Sequence, residues 1–351
     1  MPQSFVTLTD LLSHGYDAVI DVRSPAEFAE DHVPGAINLP ALSNEERARV
    51  GTIYTQVAPY EARKIGAALV ARNVARHLDT ALKDHDGSWR PLVYCWRGGQ
   101  RSGSVATILR AVGWRTETIS GGYQSYRRLV HAVLYTVPVP HRFILLDGYT
   151  GTAKTDLLHR LGRMGVQVLD LEGMAEHRGS ILGGHSADQP SQKAFETALA
   201  CRLALLDPAR PVLLEAESSK IGERIIPPMV WAAMKQAPRI EILAPIDARA
   251  TYLVGAYADI IARRDDLTKR LNVLRHHRGG EVVEGWLALL EKGAITDLAR
   301  ALMRDHYDPS YAKSRAAHTI RVLAKVTAQD LTPPDREDLA RKIAGIVRAP
   351  G

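Results

Sequence analysis

Apolar positions recur along this chain in two rhythms, and their alternation predicts most of its elements. Short continuous runs read as buried strands: Ala18-Val19-Ile20-Asp21-Val22, then Pro91-Leu92-Val93-Tyr94. Val105, Ile108, Leu109 and Val112 instead recur at i, i+3, i+4 and i+7, the spacing of an amphipathic helix. Ser24-Pro25-Ala26-Glu27 opens another helix, with a capping serine, a proline at the first position and an early acid. Residues 116–120 form a further strand closed by Gly121-Gly122. Val137-Pro138-Val139-Pro140-His141 then predicts a linker, because two prolines this close forbid helix and disfavour a central strand.

Beyond the linker the alternation starts again. Residues 142–146 read as a buried strand, and Leu157, Leu158, Leu161 and Met164 mark a helix face shortly after it. Strand-like runs follow at 166–171, 211–216, 239–243 and 318–323, separated by helical stretches. After Asp247 the chain turns helical and strongly basic. The expectation is α/β throughout, in two domains: residues 1–137, and residues 138–351 with a mostly parallel sheet and a basic helical C-terminal part.

Composition agrees and narrows the classes. A chain of 351 residues, 46% hydrophobic and 24% charged, suits about two globular domains. No basic leader opens it and no window approaches the roughly 18 apolar residues of a membrane span, so a cytoplasmic protein without membrane contact is expected. Cys95 and Cys201 are far apart and outside any C-x-x-C pair, which argues against a disulfide framework or a thiolate metal site. Cys201 falls in line with Ala198 and Leu205 on a helix expected over residues 191–206 and reads as packed. The net charge of +6 favours a polyanionic partner.

Two glycine-rich turns carry the candidate chemistry. Cys95-Trp96-Arg97-Gly98-Gly99-Gln100-Arg101-Ser102 joins a strand to a helix, so backbone N–H groups, the helix N-terminus, Arg97 and Arg101 should make the Cys95 thiol acidic and nucleophilic. The second turn, Gly148-Tyr149-Thr150-Gly151-Thr152-Ala153-Lys154-Thr155, matches the phosphate loop G-x-x-x-x-G-K-[ST], with Ala153 in place of the last glycine. Its amides would wrap phosphate oxygens, Lys154 would neutralise them, and the Thr155 hydroxyl could hold a magnesium ion, with Glu215 and Glu217 as acids at a neighbouring strand end. No residue set is assigned to a tightly bound metal or cofactor. His177 and Arg178, in a loop-like stretch after a strand, read as substrate residues. Arg263, Arg264, Lys269, Arg270, Arg275 and Arg278, with His276 and His277, crowd one helical stretch where they would meet nucleic-acid phosphates; a solvated face compensated by Asp265 and Asp266 is the alternative.

The spacing C-x-x-x-x-x-R from Cys95 to Arg101 is also that of cysteine phosphatases, so a phosphatase or sulfurtransferase fused to a kinase-like domain stays open, as does a non-catalytic RNA-binding regulator. Against the phosphatase stand residues 21–28 and 32–40 and the Gly121-Gly122-Tyr123 ending, which resemble the rhodanese domain. That fold uses its loop cysteine to carry a chalcogen; here the loop arginine falls one residue later than usual. Residues 95–102, 148–155, 170–180, 189–196, 217–222 and 306–311 together resemble the tRNA 2-selenouridine synthase family, with Ala153 and Ser219 as departures. The resemblance implies a rhodanese-like domain followed by a P-loop NTPase-like domain, and a transferase acting on the wobble uridine in the anticodon loop of tRNA. It implies that selenium from selenophosphate replaces the sulfur of 5-substituted 2-thiouridine through an S-geranyl intermediate made from geranyl diphosphate. Cys95 would then accept or present selenium, with Arg97, Gly98, Gly99, Gln100, Arg101 and Ser102 as the selenophosphate cradle. His177, Arg178, Glu217, Ser218 and Lys220 would meet substrate.

Overall fold

The computed structural model describes residues 2–179, 189–316 and 321–349, with the side chains of 314–316 left aside; Ser180 and the start of the strand expected from His318 lie outside them. The chain forms two compact units, Met1–Val137 with Pro190–Leu205, and Pro138–Gln189 with Leu206–Gly351.

The first unit is built on a five-stranded sheet in the order β1-β5-β4-β2-β3. Its centre is β2 (Ala18–Asp21) paired parallel to β4 (Pro91–Tyr94), with Ala18 opposite Pro91 and Asp21 opposite Tyr94. Both strands are covered on both faces, which is why they read as unbroken apolar runs. β5 (Glu117–Ile119) flanks β4, while β1 (Pro2–Gln3) and β3 (Ile37–Asn38) form the edges. The core beneath gathers Ile20, Val22, Val93, Val105, Leu109 and Trp114. The helix Gln100–Val112 leaves β4 through the cysteine turn and ends at Gly113, whose φ of 112° suits glycine. Helices Asn44–Gln56 and Pro59–Asp79 were not anticipated.

The helix Gln192–Leu205, expected among the elements of the second half, clusters with the first unit. Its buried Phe195, Leu199, Ala200 and Leu203 are joined by polar ties: Tyr126 Oη donates to Thr197 Oγ1 at 3.0 Å and Tyr135 Oη to Glu196 Oε1 at 2.7 Å. Cys201 on this helix is packed, and burial pushes its thiol up to about 11.

The second unit carries a five-stranded parallel sheet in the order β12-β11-β6-β8-β7. Here β6 (Phe143–Gly148) lies between β8 (Val212–Glu215) and β11 (Arg239–Leu243), with β7 (Gln167–Leu169) and β12 (Val322–Thr327) outermost. A short antiparallel pair, β9 (Lys220–Ile221) and β10 (Arg224–Ile225), stands apart. β12 runs further toward the C-terminus than the apolar pattern indicated, because Val322 and Leu323 are exposed on an edge strand and only Val326 is buried. The basic helical part is an insertion between β11 and β12, not a C-terminal extension. Its helices, among them Ile246–Ala256, Arg264–Val273, Gly280–Glu291 and Ile295–Leu302, close over their own core of Leu267, Leu271, Leu274, Val283, Trp286 and Leu290. The chain then returns to the sheet, where the helix Pro333–Arg348 buries Leu339, Ile343 and Val347 against the main core. Among the described residues no helix is long and apolar enough to cross a membrane.

Candidate functional sites

In the first unit, β4 ends at Tyr94 and places Cys95 at the base of the turn. The residue is 4% exposed, while Arg97, Gly98, Gly99 and Gln100 are exposed around it, so the thiol is more recessed than an open cradle would make it. Gly122 explains the tight seat: a Cβ there would stand 2.2 Å from the Cys95 carbonyl oxygen and 2.5 Å from the Gly98 nitrogen. Tyr123 N–H donates to that same carbonyl at 2.8 Å, fixing the Gly121-Gly122 turn beneath the loop. Burial pushes the thiol up, but the Ser102 hydroxyl (3.2 Å from Sγ), the Ser102 and Gly99 amides and the Arg101 charge outweigh it and hold it below its ordinary value. The shift runs in the direction expected from the turn, and its largest favourable contributor is Ser102, a buried residue whose hydroxyl faces sulfur rather than an incoming anion.

Arg101 is not left to face the loop alone. Its Nη1 donates to Glu27 Oε2 at 2.8 Å, and Arg47 Nε donates to the same oxygen at 3.1 Å. Burial would raise the Glu27 carboxyl, but Arg101, the Ser24 N–H and Arg47 hold it down to about 2. The sequence marked Glu27 only as the early acid of a helix; that it closes a charge pair with Arg101 comes from a fold contact with no sequence signature.

In the second unit, the turn after β6 forms the phosphate loop. Lys154 Nζ donates to the carbonyl oxygens of Gly148 at 2.9 Å and Tyr149 at 3.5 Å, which holds the ammonium over the loop. Thr152 is buried and its hydroxyl donates to Tyr149 O at 2.8 Å, so its side chain braces the turn. Ala153 stands at φ 60°, the left-handed conformation that glycine adopts without a Cβ penalty. Arg249, 5% exposed, anchors the loop from outside: Nη1 donates to Thr150 O at 3.1 Å while both terminal nitrogens grip Asp308 at 2.9 and 2.8 Å. Tyr311 Oη donates to Asp147 at the end of β6. Asp308 and Tyr311 both lie in the 306–311 stretch, which thus serves the loop.

The register of β6 against β8 sets Leu146 opposite Glu215, and so brings that acid to the loop. Thr155 Oγ1 donates to Glu215 Oε1 at 2.6 Å and lies 3.2 Å from Glu172 Oε2. Among the described residues Glu172, Glu215 and Glu217 form a group whose carboxylate oxygens lie within 4.8 Å of one another. Burial, then repulsion from Glu172, pushes the Glu215 carboxyl up to about 8, and burial and the neighbouring carboxylates raise Glu172 and Glu217 as well. Glu215 Oε2 is buried without a hydrogen-bond partner. Three hard oxygen donors, one of them orphaned, fit a divalent cation such as magnesium. Glu215 and Glu217 were named from the sequence. Glu172, in a short helix after β7, was missed, because three acids this far apart in sequence carry no common spacing.

The rhodanese-like domain family matches residues 5–129, and the family described as tRNA 2-selenouridine synthase AAA domain matches residues 141–337. A tRNA 2-selenouridine synthase of Cupriavidus pinatubonensis is 32% identical over 92% of this chain and 95% of its own length. The chain belongs to the tRNA 2-selenouridine synthase family. Two further synthases, of Pseudomonas putida and Hahella chejuensis, are 32% and 34% identical over 87% and 84% of the chain and 89% and 84% of their own lengths.

Other expected residues of this family member have local partners. His177 is half-buried and its Nδ1 accepts from Gly179 N–H at 3.1 Å, while Gly179 itself lies against Glu172 and Glu217. Arg178 pairs with Asp259 at 2.9 Å and its guanidinium sits 5.1 Å from the centre of the Tyr257 ring. Ser218 and Lys220 are exposed, Lys220 paired with Glu223 at 3.1 Å. The six basic residues divide. Arg278 is structural, donating to His306 Nδ1 and the His306 carbonyl at 2.9 Å each. Arg275 pairs with Glu284, Arg270 with Asp266 at 2.9 Å, and Arg263 with Asp259 at 3.8 Å. Half of the six thus pair with neighbouring acids, Asp266 among them as the alternative reading held, while Arg264 and Lys269 stay exposed.

Proposed function

We propose that this protein is a cytoplasmic transferase that modifies the wobble 2-thiouridine of tRNA in two steps. In the first, the thiocarbonyl sulfur attacks the terminal carbon of geranyl diphosphate; a C–S bond forms, the C–O bond breaks and diphosphate leaves. In the second, selenium from selenophosphate adds at C2, geranylthiol is expelled, and water takes the phosphoryl group. No oxidant is required. Alkylation is what makes the exchange feasible, since it converts the sulfur into a leaving group.

The division of labour follows the two turns. Lys154 and the amides from Gly148 to Thr155 hold the diphosphate, while Glu172, Glu215, Glu217 and Thr155 would hold magnesium, which supplies charge neutralisation to the leaving diphosphate. Cys95 attacks the phosphorus of selenophosphate, whose oxygens face Arg97, Gly98, Gly99 and Gln100; an S–P bond forms, the P–Se bond breaks, the freed selenide adds at C2, and water then hydrolyses the S–P bond. Exposed Arg264 and Lys269 meet tRNA phosphates. The observation that carries this reading is the presence, in one member of this family, of a cysteine held below its ordinary pKa in a glycine-rich turn that opens a helix, and of a separate phosphate loop. A cysteine phosphatase is less well supported, because Glu27 engages the Arg101 guanidinium that such an enzyme would aim at phosphate. Incubating the protein with thiolated tRNA and each donor separately, then weighing the nucleosides, tests it. Geranyl diphosphate alone should give S-geranyl-2-thiouridine; phosphate release from an aryl phosphate without change to the tRNA would refute it.

A further inference from the structure

An apolar pocket adjoins the phosphate loop. It is a partly open cleft whose lining is almost wholly apolar, the character of a site for a hydrocarbon group. Thr150 of the loop lines it, together with Leu253, Ile261, Leu298, Ala299 and Leu302 of the inserted helices. Two further observations bind pocket and loop into one site. Arg249, which fastens the Thr150 carbonyl, precedes Leu253 by one turn on the helix Ile246–Ala256. The loop backbone also packs on the pocket wall, since a Cβ at Gly151 would stand 3.0 Å from Leu253 Cγ and Cδ1.

Chemistry limits what such a site can take. The loop amides and Lys154 suit a diphosphate and offer nothing to hydrocarbon, whereas the pocket lining is almost wholly apolar and would leave the hydrogen-bonding edge of a purine base unpaired. We infer that this pocket holds the hydrocarbon chain of the prenyl diphosphate and selects its length. The assignment rests on the reading of the phosphate loop as a prenyl diphosphate site, and adds which residues measure the chain. Ala299 is the smallest side chain in the lining and is where added bulk would shorten the space, whereas trimming Leu302 would lengthen it.

The test uses the full-length protein with thiolated tRNA, magnesium, and dimethylallyl, geranyl or farnesyl diphosphate, reading S-alkyl nucleosides by mass spectrometry. Ala299→Phe should lower geranyl transfer relative to dimethylallyl transfer by about tenfold, and Leu302→Ala should raise farnesyl relative to geranyl transfer. Calorimetry on the same proteins should find geranyl diphosphate bound more tightly than inorganic diphosphate or ATP, with Ala299→Phe erasing the margin over inorganic diphosphate. Unchanged chain-length ratios in both variants, or ATP as the tighter ligand, would overturn the pocket assignment. Absence of transfer from all three donors by the unaltered protein would strike the reading of the reaction instead, and the calorimetric comparison would still decide the pocket.

Discussion

The two glycine-rich turns of this protein use the same backbone device with opposite electrostatics. Each follows a central strand of a parallel sheet and opens a helix, so each presents backbone N–H groups and a helix N-terminus. Around Cys95 the neighbouring groups stabilise the anion: a hydroxyl, two amides and an arginine hold the thiol down, while Glu27 absorbs part of the arginine's charge. Around Thr155 they do the reverse, crowding three carboxyls until burial and mutual repulsion hold their protons on. A loop shape alone therefore does not define a chemistry. The first turn holds its own thiol below the ordinary value, and the second holds its acids above theirs, a crowding that a bound cation would relieve.

That contrast can be broken from either side. Lys154→Ala should reduce geranyl transfer about a hundredfold, as for loss of a donor to developing charge. It should leave selenium insertion into already geranylated tRNA intact; equal loss of both steps would erase the distinction between the turns. A smaller effect is expected in stability. Unfolded, a glutamate ionises near its ordinary 4.5, but folded Glu215 ionises only near 8, so between these values the native state holds the extra proton. Its stabilising effect is complete below pH 4.5 and is lost as pH rises through about 8. With metal chelated, the melting temperature should fall over that window; magnesium or Glu215→Gln should flatten the slope, and a flat profile in chelator would show that the acids are not crowded in solution.

The cysteine turn should respond more modestly. Ser102→Ala removes the main hydrogen bond to sulfur, about 1 kcal/mol, so alkylation of Cys95 at neutral pH should slow severalfold and its pH midpoint should move up. Smallest of all, Ala153→Gly should relieve the left-handed strain and stabilise the protein by up to about 1 kcal/mol in chemical denaturation. A loss of stability there would show that the methyl packs to advantage.

Much of the scaffold was legible because the central strands are covered on both faces and the helix after Cys95 shows a regular stripe. β1 and β3, each a pair of residues at a sheet edge, leave no period to read. The helix Gln192–Leu205 looked like part of the second half because chain order, not packing, was all that could be seen. Cys95, Lys154 and Thr155 stand in contiguous turns and were evident at once. Glu172, Glu27 and Arg249 were not, since each reaches its partner through strand register or helix packing across many residues. In the basic stretch the charge density was visible and Asp266 already stood out as a compensating acid one helical turn from Arg270, whereas the pairing of Arg275 with Glu284 could be assigned only in space.

The central claim is that the thiol releases selenium from selenophosphate for insertion and takes no part in alkylation. Cys95→Ser, given thiolated tRNA, geranyl diphosphate and selenophosphate together, tests it most directly by mass spectrometry of the digested nucleosides. S-geranyl-2-thiouridine should accumulate with no selenouridine. Selenouridine formed by the variant, or loss of the geranylated nucleoside along with it, would contradict the account.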